Sequence, residues 1–442
     1  MWTTDDLAVA AGQSVDPDRW RAGLDEVMGR LGPRFARVEP RRRARAFLLG
    51  LLAGLPRTNC WTIAEHAGDA SPDGLQHLLS GAVWDAELVR EDLRGYVVEQ
   101  LGDADAVLVV DETGDLKKGA ATVGVQRQYT GTAGRVENAQ VGVYLAYASR
   151  AGYAFIDRAL YLPRSWTGDP ARCRAAGVPD DVRFATKPAL AKQMIVRAVQ
   201  AGTPARWVAG DEVYGTDPGL RAGLVGRRLG YVLAVAKDHR ISTGIGTRRA
   251  DEVTGRVPKR GWQRLSAGAG AKGERWYDWT LIDTVDAAAD PESTGCHWLL
   301  VRRNRRSGEL AFYRAYSPTP VPLAALVRVA GTRWRIEESF QSSKELAALD
   351  QHQIRRWDSW HRWTVLAMLA HAFLSVMTAA QPPPDPGIEL IPLTRNEIRR
   401  LFTAAVTPVW RAPHVLHWSI WRRRHQARAR ASHYRRQNPA VT

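Results

Sequence analysis

Cysteine is scarce in this sequence. The 442 residues hold three, Cys60, Cys173 and Cys296, far apart and without a Cys-x-x-Cys pair. A scattered, odd number excludes a disulfide framework and a cysteine zinc site, and it fits a reducing cytoplasm. The start, Met1 to Asp6, lacks the basic and apolar regions of a signal peptide. Long apolar runs are nearly absent. The longest, Trp363 to Ala380, is interrupted by Thr364, His371 and Ser375 and preceded by His361-Arg362, so a buried core helix is expected and no membrane. No internal repeat is present. Negative charge is the charge in short supply: 46 Asp and Glu stand against 62 Lys and Arg, a net +16. Such an excess favours a polyanionic partner, because each phosphate neutralised releases condensed counterions. Arginine dominates it and suits bidentate phosphate contacts. A solvated basic surface gives the same total, so charge alone leaves both readings open.

What is there is an ordinary globular balance, 45% hydrophobic and 24% charged residues, in a chain long enough for about two to four domains. Residues 1–102 are expected to be a helical N-terminal domain, either DNA-binding or a structural cap. Leu48, Leu51 and Leu52 recur at helical spacing after Arg41-Arg42-Arg43, and a second helix is expected from about Trp84 to Leu101. The period then changes. Ala106 to Val110 is a continuous apolar run, as in a strand buried on both faces. Val141–Ala148, Tyr153–Leu162 and Trp207–Gly210 are further strands, with a helix over Lys187–Ala201. Residues 103–227 therefore read as the first part of an α/β core. Residues 228–325 look β-rich, with strands at Tyr231–Ala236, Trp276–Thr284, His297–Arg302 and Leu310–Tyr316. Residues 326–380 are expected to be the helical part of the core, within a helical stretch that starts at Leu323. Gln381 to Gly387 is proline-rich, a linker or helix stop. The region 381–442 is basic, with seven arginines between Trp421 and Arg436. Such a tail is a candidate for disorder when free and for binding a phosphate backbone.

Two acids sit at strand ends. Asp111 follows the run Ala106–Val110, and Asp211 follows Trp207–Gly210. A carboxylate there costs desolvation unless a cation or several donors compensate it. Oxygen-only ligands suit Mg²⁺ or Mn²⁺. The plain alternative is a pair of loop or N-cap acids. A third acid lies on the expected helix from Arg333 to Lys344. At about 100° per residue, Arg333, Glu337 and Lys344 fall within about 40° of one another, while Glu338 lies off that stripe. This face is either an exposed ion-pair row or a metal-binding Glu between two cations that grip phosphates.

The spacing of Arg333, Glu337 and Lys344, with Trp334-Arg-Ile-Glu-Glu338, resembles the R-x3-E-x6-K signature of IS4-like transposases. The segments Val110–Gly119, Gly124–Asn138, Phe184–Pro188, Gly210–Gly215 and Leu349–Gln353 are most similar to the IS701 family within that group. The tyrosine usual three residues before the arginine is Ala330 here. The resemblance implies an α/β, RNase H-like catalytic core with a β-rich insertion between the second Asp and the Glu. It implies that Asp111, Asp211 and Glu337 are catalytic and hold two Mg²⁺ (or Mn²⁺) ions. Terminal inverted repeats and target DNA are the implied partners, with two copies assembled on DNA in the cytoplasm at the nucleoid. The implied activity is hydrolysis at transposon ends and strand transfer, without a Ser or Tyr nucleophile. A DNA-binding regulator that does not cut, and a nuclease that cuts without integrating, are the alternatives.

Other DNA-contact candidates are Arg333 and Lys344 beside the glutamate, Lys117 and Lys118 after the first Asp, with a solvated turn as the alternative, and, by the resemblance, Arg127 and Arg135 around the turn at Gly131–Gly134, with a plain hairpin tip as the alternative. Trp262 and Trp276 in the insertion are candidates to stack a splayed base, with packing of the insertion's own core as the alternative. Gly268 to Gly273 lacks the spacing of a phosphate loop. His352, His361 and His371 lack metal-ligand spacing.

Overall fold

The structure, a computed structural model, describes residues 17–244, 246–270, 273–285, 295–382, 392–406 and 412–437. The N-terminal hexapeptide, Lys272 and most of the proline-rich segment after Pro382 lie outside them. The chain divides into two compact units. One holds the described residues within Met1–Asp92, Ser343–Ile354 and Asp358–Thr442; the other holds Leu93–Ser342 and Arg355–Trp357.

The second unit is built on one sheet. Its first strands are β1 (Val107–Leu116), β2 (Gln126–Thr130), β3 (Arg135–Ala148), β4 (Tyr153–Leu160), β5 (Trp207–Gly210) and β6 (Gly230–Val235). β3 lies antiparallel between β1 and β4, while β1, β5 and β6 run parallel, with Val110 opposite Gly210 and Gly210 opposite Leu233. The order β4-β3-β1-β5-β6, antiparallel strands first and parallel strands after, is an RNase H-like sheet. Its centre follows from sequence: Val107 to Val110 and Trp207 to Gly210 are buried throughout, as the continuous apolar runs require. The helix Lys187–Gln200, N-capped by Thr186, packs against β3 and β4, and Leu323–Thr332 packs against β5 and β6.

The β-rich stretch extends this same sheet. After the small ribbon β7 (Arg240–Thr243) and β8 (Gly246–Arg249) come β9 (Gln263–Gly270), β10 (Gly273–Asp283), β11 (Cys296–Arg303) and β12 (Leu310–Ser317). β12 pairs antiparallel with β6, and the meander continues outward as β11, β10 and β9. Val235 of β6 shares a cluster with Ile241, Leu299, Val301 and Phe312, so core and extension have a common apolar layer. β9 also touches the helix Leu323–Thr332. A Cβ on Gly331 would stand 2.1 Å from the Ala267 carbonyl oxygen, so only glycine permits that approach. The Arg275 guanidinium seals it, donating to the carbonyls of Ala267 (2.8 Å) and Gly331 (3.1 Å).

The stretch expected as one helical run from Leu323 is three helices, Leu323–Thr332, Trp334–Ala347 and Trp357–Ala379. The first break, at Arg333, turns the chain into the site described below.

The first unit is helical. Trp357–Ala379 is the one helix among the described residues long and apolar enough to cross a membrane, and most of it is buried. A helix apolar all round is a core helix when neighbours cover every side: Trp363 meets Phe47 edge-on at 5.2 Å, and Phe373 meets Phe402 at 5.4 Å. The described residues of the basic C-terminal region form two helices, Arg395–Val406 and Ala412–Gln437; in the second, Trp418, Trp421 and His425 recur at helical spacing and give it a face to pack.

Candidate active site

Asp111 and Asp211 stand at the same end of two adjacent parallel strands, each one residue beyond the Val110–Gly210 pair. The Asp211 carboxylate caps the short helix Glu212–Gly215, accepting from the Val213 amide at 2.9 Å. Asp111 accepts from the Glu112 amide at 2.8 Å. One amide bond each does not offset burial. Burial, then the charges of Asp211 and Glu112, push the Asp111 carboxyl up to about 7. Burial and the charge of Glu112 raise Asp211 as well, against the Val213 amide and Arg333. Two carboxylates whose surroundings resist their charge form a site that favours a cation.

Glu337 comes from the first turn of Trp334–Ala347. Arg333, in the break before that helix, places one guanidinium nitrogen 3.0 Å from the Glu337 carboxylate and another 3.8 Å from Asp111. It thus links Asp111 on its strand to Glu337 on its helix. Among the described residues no three His, Cys, Asp or Glu side chains are gathered closely enough to hold a metal ion as they stand. The donor chemistry is that of a hard divalent cation, all carboxylate oxygen; the positive charge between Asp111 and Glu337 is a guanidinium.

Sequence reasoning passed over a second layer. Glu112 accepts from Tyr214 Oη at 2.5 Å and from Lys187 Nζ at 2.7 Å. Tyr214 is fully buried, and burial beside Glu112 raises its phenol well above the usual range. The helix carrying it presses so close to β6 that a Cβ on Gly215 would meet the Ala234 carbonyl oxygen at 1.9 Å. Glu112 therefore ties together β1, the helix after Asp211 and the N-terminus of Lys187–Gln200. The only sequence signal was that these residues lie in three of the segments quoted above.

The other candidates are spread out. Lys344 is on the Glu337 helix, about two turns on. Lys117 is largely buried 3.9 Å from Asp115, and Lys118 is exposed beside it. Arg127 is exposed on β2, and Arg135, also exposed, pairs with Glu137 at 2.8 Å. Trp262 packs against the extension's apolar cluster with Arg303 4.2 Å over its ring. Trp276 is 46% exposed, with Arg264 at 5.0 Å. A cleft of about 700 Å³ opens beside Asp211 and Arg333 and is lined further by Lys237, Arg275, Tyr277 and Arg302.

An RNase H-like sheet with acids at the ends of its parallel strands defines a class, and the chain belongs to it: it is a member of the DDE superfamily endonuclease family, which it matches over residues 30–279. Within that class it is similar to the probable transposase for insertion sequence element IS701 of Microchaete diplosiphon, 30% identical over 193 residues. That match covers 43% of this chain and 48% of the relative, so the chain spans about half the length of the curated relative. A solved structure of the piggyBac transposase synaptic complex with hairpin DNA aligns over 84% of this chain and 71% of that one, at 12% identity and a TM-score of 0.39.

Proposed function

We propose that this protein is a cut-and-paste DNA transposase of the IS701 type. It would hydrolyse phosphodiester bonds at the ends of an insertion element and join those ends to target DNA. The observation that carries this reading is the Arg333 guanidinium set between the carboxylates of Asp111 and Glu337, with Asp211 at the end of the strand beside Asp111.

In this reading Asp111, Asp211 and Glu337 hold two Mg²⁺ or Mn²⁺ ions. When bound, such ions lower the pKa of the attacking water or hydroxyl and stabilise the leaving oxygen of an in-line displacement. Glu337 becomes available when Arg333 releases it, and a DNA phosphate is the natural new partner for the guanidinium. Glu112, held by Tyr214 and Lys187, keeps Asp111 and Asp211 apart at fixed spacing. Lys344, Lys117, Lys118, Arg127 and Arg135 contact the phosphate backbone, and Trp276 or Trp262 stacks a splayed base.

The first step forms a bond from phosphorus to the water oxygen and breaks the bond to the 3′ oxygen, which leaves as a hydroxyl. That hydroxyl then attacks a second phosphodiester. One phosphorus–oxygen bond forms as another breaks, so no external energy source is needed. Two ends must be brought together, so two copies assemble on DNA, at the nucleoid.

The test is cleavage of supercoiled DNA carrying the element's ends, with Mg²⁺ or EDTA, for wild type and Glu337→Gln. Metal-dependent cutting at the ends, lost in the variant, is expected. Tight end binding without cutting under any metal would replace this reading with a DNA-binding regulator. Nicking without strand transfer would make the protein a non-integrating nuclease.

A further inference from the structure

The helix Ala412–Gln437 carries two chemically different faces. One is an aromatic anchor. Trp418 is fully buried, and its indole N–H donates to the Asp69 carbonyl at 2.8 Å. Trp421 and His425 stack at 5.3 Å, and both meet Trp61 edge-on, at 4.8 and 4.6 Å. Arg422 pairs with Glu65. These contacts seat the helix on Cys60–His66 and the loop after it.

The other face is arginine. At about 100° per residue, Arg423, Arg424 and Arg428 lie on an arc of roughly 140° turned away from the anchor. All three are exposed. Elsewhere in this unit arginines meet carboxylates: Arg34 with Asp92, Arg43 with Asp69, Arg45 with Asp25. Here no such partner exists on the helix, because no Asp or Glu follows Glu397 in the sequence. The helix dipole favours cations only in the last turn, and Arg423 and Arg424 lie well before it. Arg424 and Arg428 are like charges at i,i+4, which disfavour a helix in water. A helix held by aromatics on one side, with uncompensated guanidinium groups on the other, is shaped for an external polyanion. Arg423 to Arg428 spans about 7.5 Å of axis, over which a duplex presents about four phosphates on its two strands.

We propose that the arginine face of Ala412–Gln437 is a DNA-binding surface separate from the acidic cluster, which grips duplex phosphates without reading base sequence. The choice of DNA among polyanions rests on the transposase reading. Arg gives bidentate phosphate contacts, and such contacts position a protein on DNA without carrying sequence information.

The experiment titrates the full chain, in EDTA, against a short labelled duplex of arbitrary sequence, by fluorescence anisotropy from about 50 to 200 mM salt. Replacing Arg423, Arg424 and Arg428 with Gln together is expected to reduce the slope of log affinity against log salt by about 2.7, at about 0.9 per lost phosphate contact. The triple Lys replacement is expected to keep most of the slope. Melting followed by circular dichroism checks the fold; should the triple Gln variant misfold, the single Arg424→Gln carries the test with an expected reduction of about 0.9. The titration runs without metal and without cleavage, so failure of the catalytic reading and failure of this surface give separate results. An unchanged slope in the Gln variant overturns the proposal. So does tighter binding of the wild type to phosphatidylglycerol vesicles than to the duplex.

Discussion

The two units handle buried charge in opposite ways. In the sheet unit, Asp111 and Asp211 are half-buried side by side with Arg333 as the nearby cation, and the cost appears as carboxyls that resist ionising. In the helical unit, one buried titratable group is His371, inside the core helix. Burial, then the charge of Arg395, hold its imidazole well below the usual range, so it stays neutral. The sheet unit thus stores repulsion that a cation relieves, whereas in the helical unit His371 stays neutral and the buried Arg90 is paired with Glu87 and Glu91. In a chain of net +16, the local surroundings, and not the total, decide which region favours a cation.

The contrast gives opposite pH dependences. Asp111 titrates higher in the folded chain than unfolded, so the folded state binds more protons between about pH 4 and 7, and metal-free stability falls as pH rises through that window. Asp111→Asn removes this effect. At pH 8 without metal it is expected to stabilise the protein by on the order of 2–4 kcal/mol, seen in urea melts, while abolishing metal-dependent cleavage. Equal or lower stability than wild type would mean that the acids are not under strain.

Tyr214→Phe sharpens the same comparison from within the sheet unit. It deletes the hydroxyl that holds Glu112 and leaves the buried ring. Divalent-ion affinity by calorimetry is expected to weaken by about 10–100-fold, the usual effect of losing an outer-layer partner. Unchanged affinity would reduce Glu112 to a structural tie.

The smallest effect belongs to the helical unit. His371 is neutral when folded and titrates near 6.5 unfolded, so the unfolded state binds the extra proton and stability is lost as pH falls below about 6.5. The slope contributed is about 1.4 kcal/mol per pH unit at most. His371→Gln is expected to flatten that acid limb in melts between pH 5 and 6.5 (roughly one proton's worth of slope). An acid limb as steep as wild type would place its origin elsewhere.

Much of the sheet was legible in the chain. β4, β5, β6, β10, β11 and β12 fall within a few residues of the stretches that announced them, whereas β1 and β3 each run six residues beyond theirs. The strands β2, β7, β8 and β9 were not seen, and each has a reason. Gln126–Thr130 and Gly246–Arg249 are polar and largely exposed, and Gln263–Gly270 is rich in glycine and alanine, so their strand character comes from pairing with neighbours. In the C-terminal region the arginine count left disorder when free open, and the helix Ala412–Gln437 was not read from the sequence, although three spaced aromatic rings seat it.

Sequence by itself determined the local facts: apolar runs that must be buried strands, acids placed at their ends, a helix with Arg333 and Glu337 one turn apart, and an acid-free C-terminal stretch. Only the tertiary structure decided what those facts meet. Pairing of Val110 with Gly210 sets Asp111 beside Asp211. Glu112 finds Tyr214 and Lys187 from distant segments, and β12 docks on β6 to make the insertion part of the core sheet. Periodicity reports which face of an element is apolar, but strand order and side-chain partners depend on contacts between residues about a hundred positions apart, for which no local pattern exists.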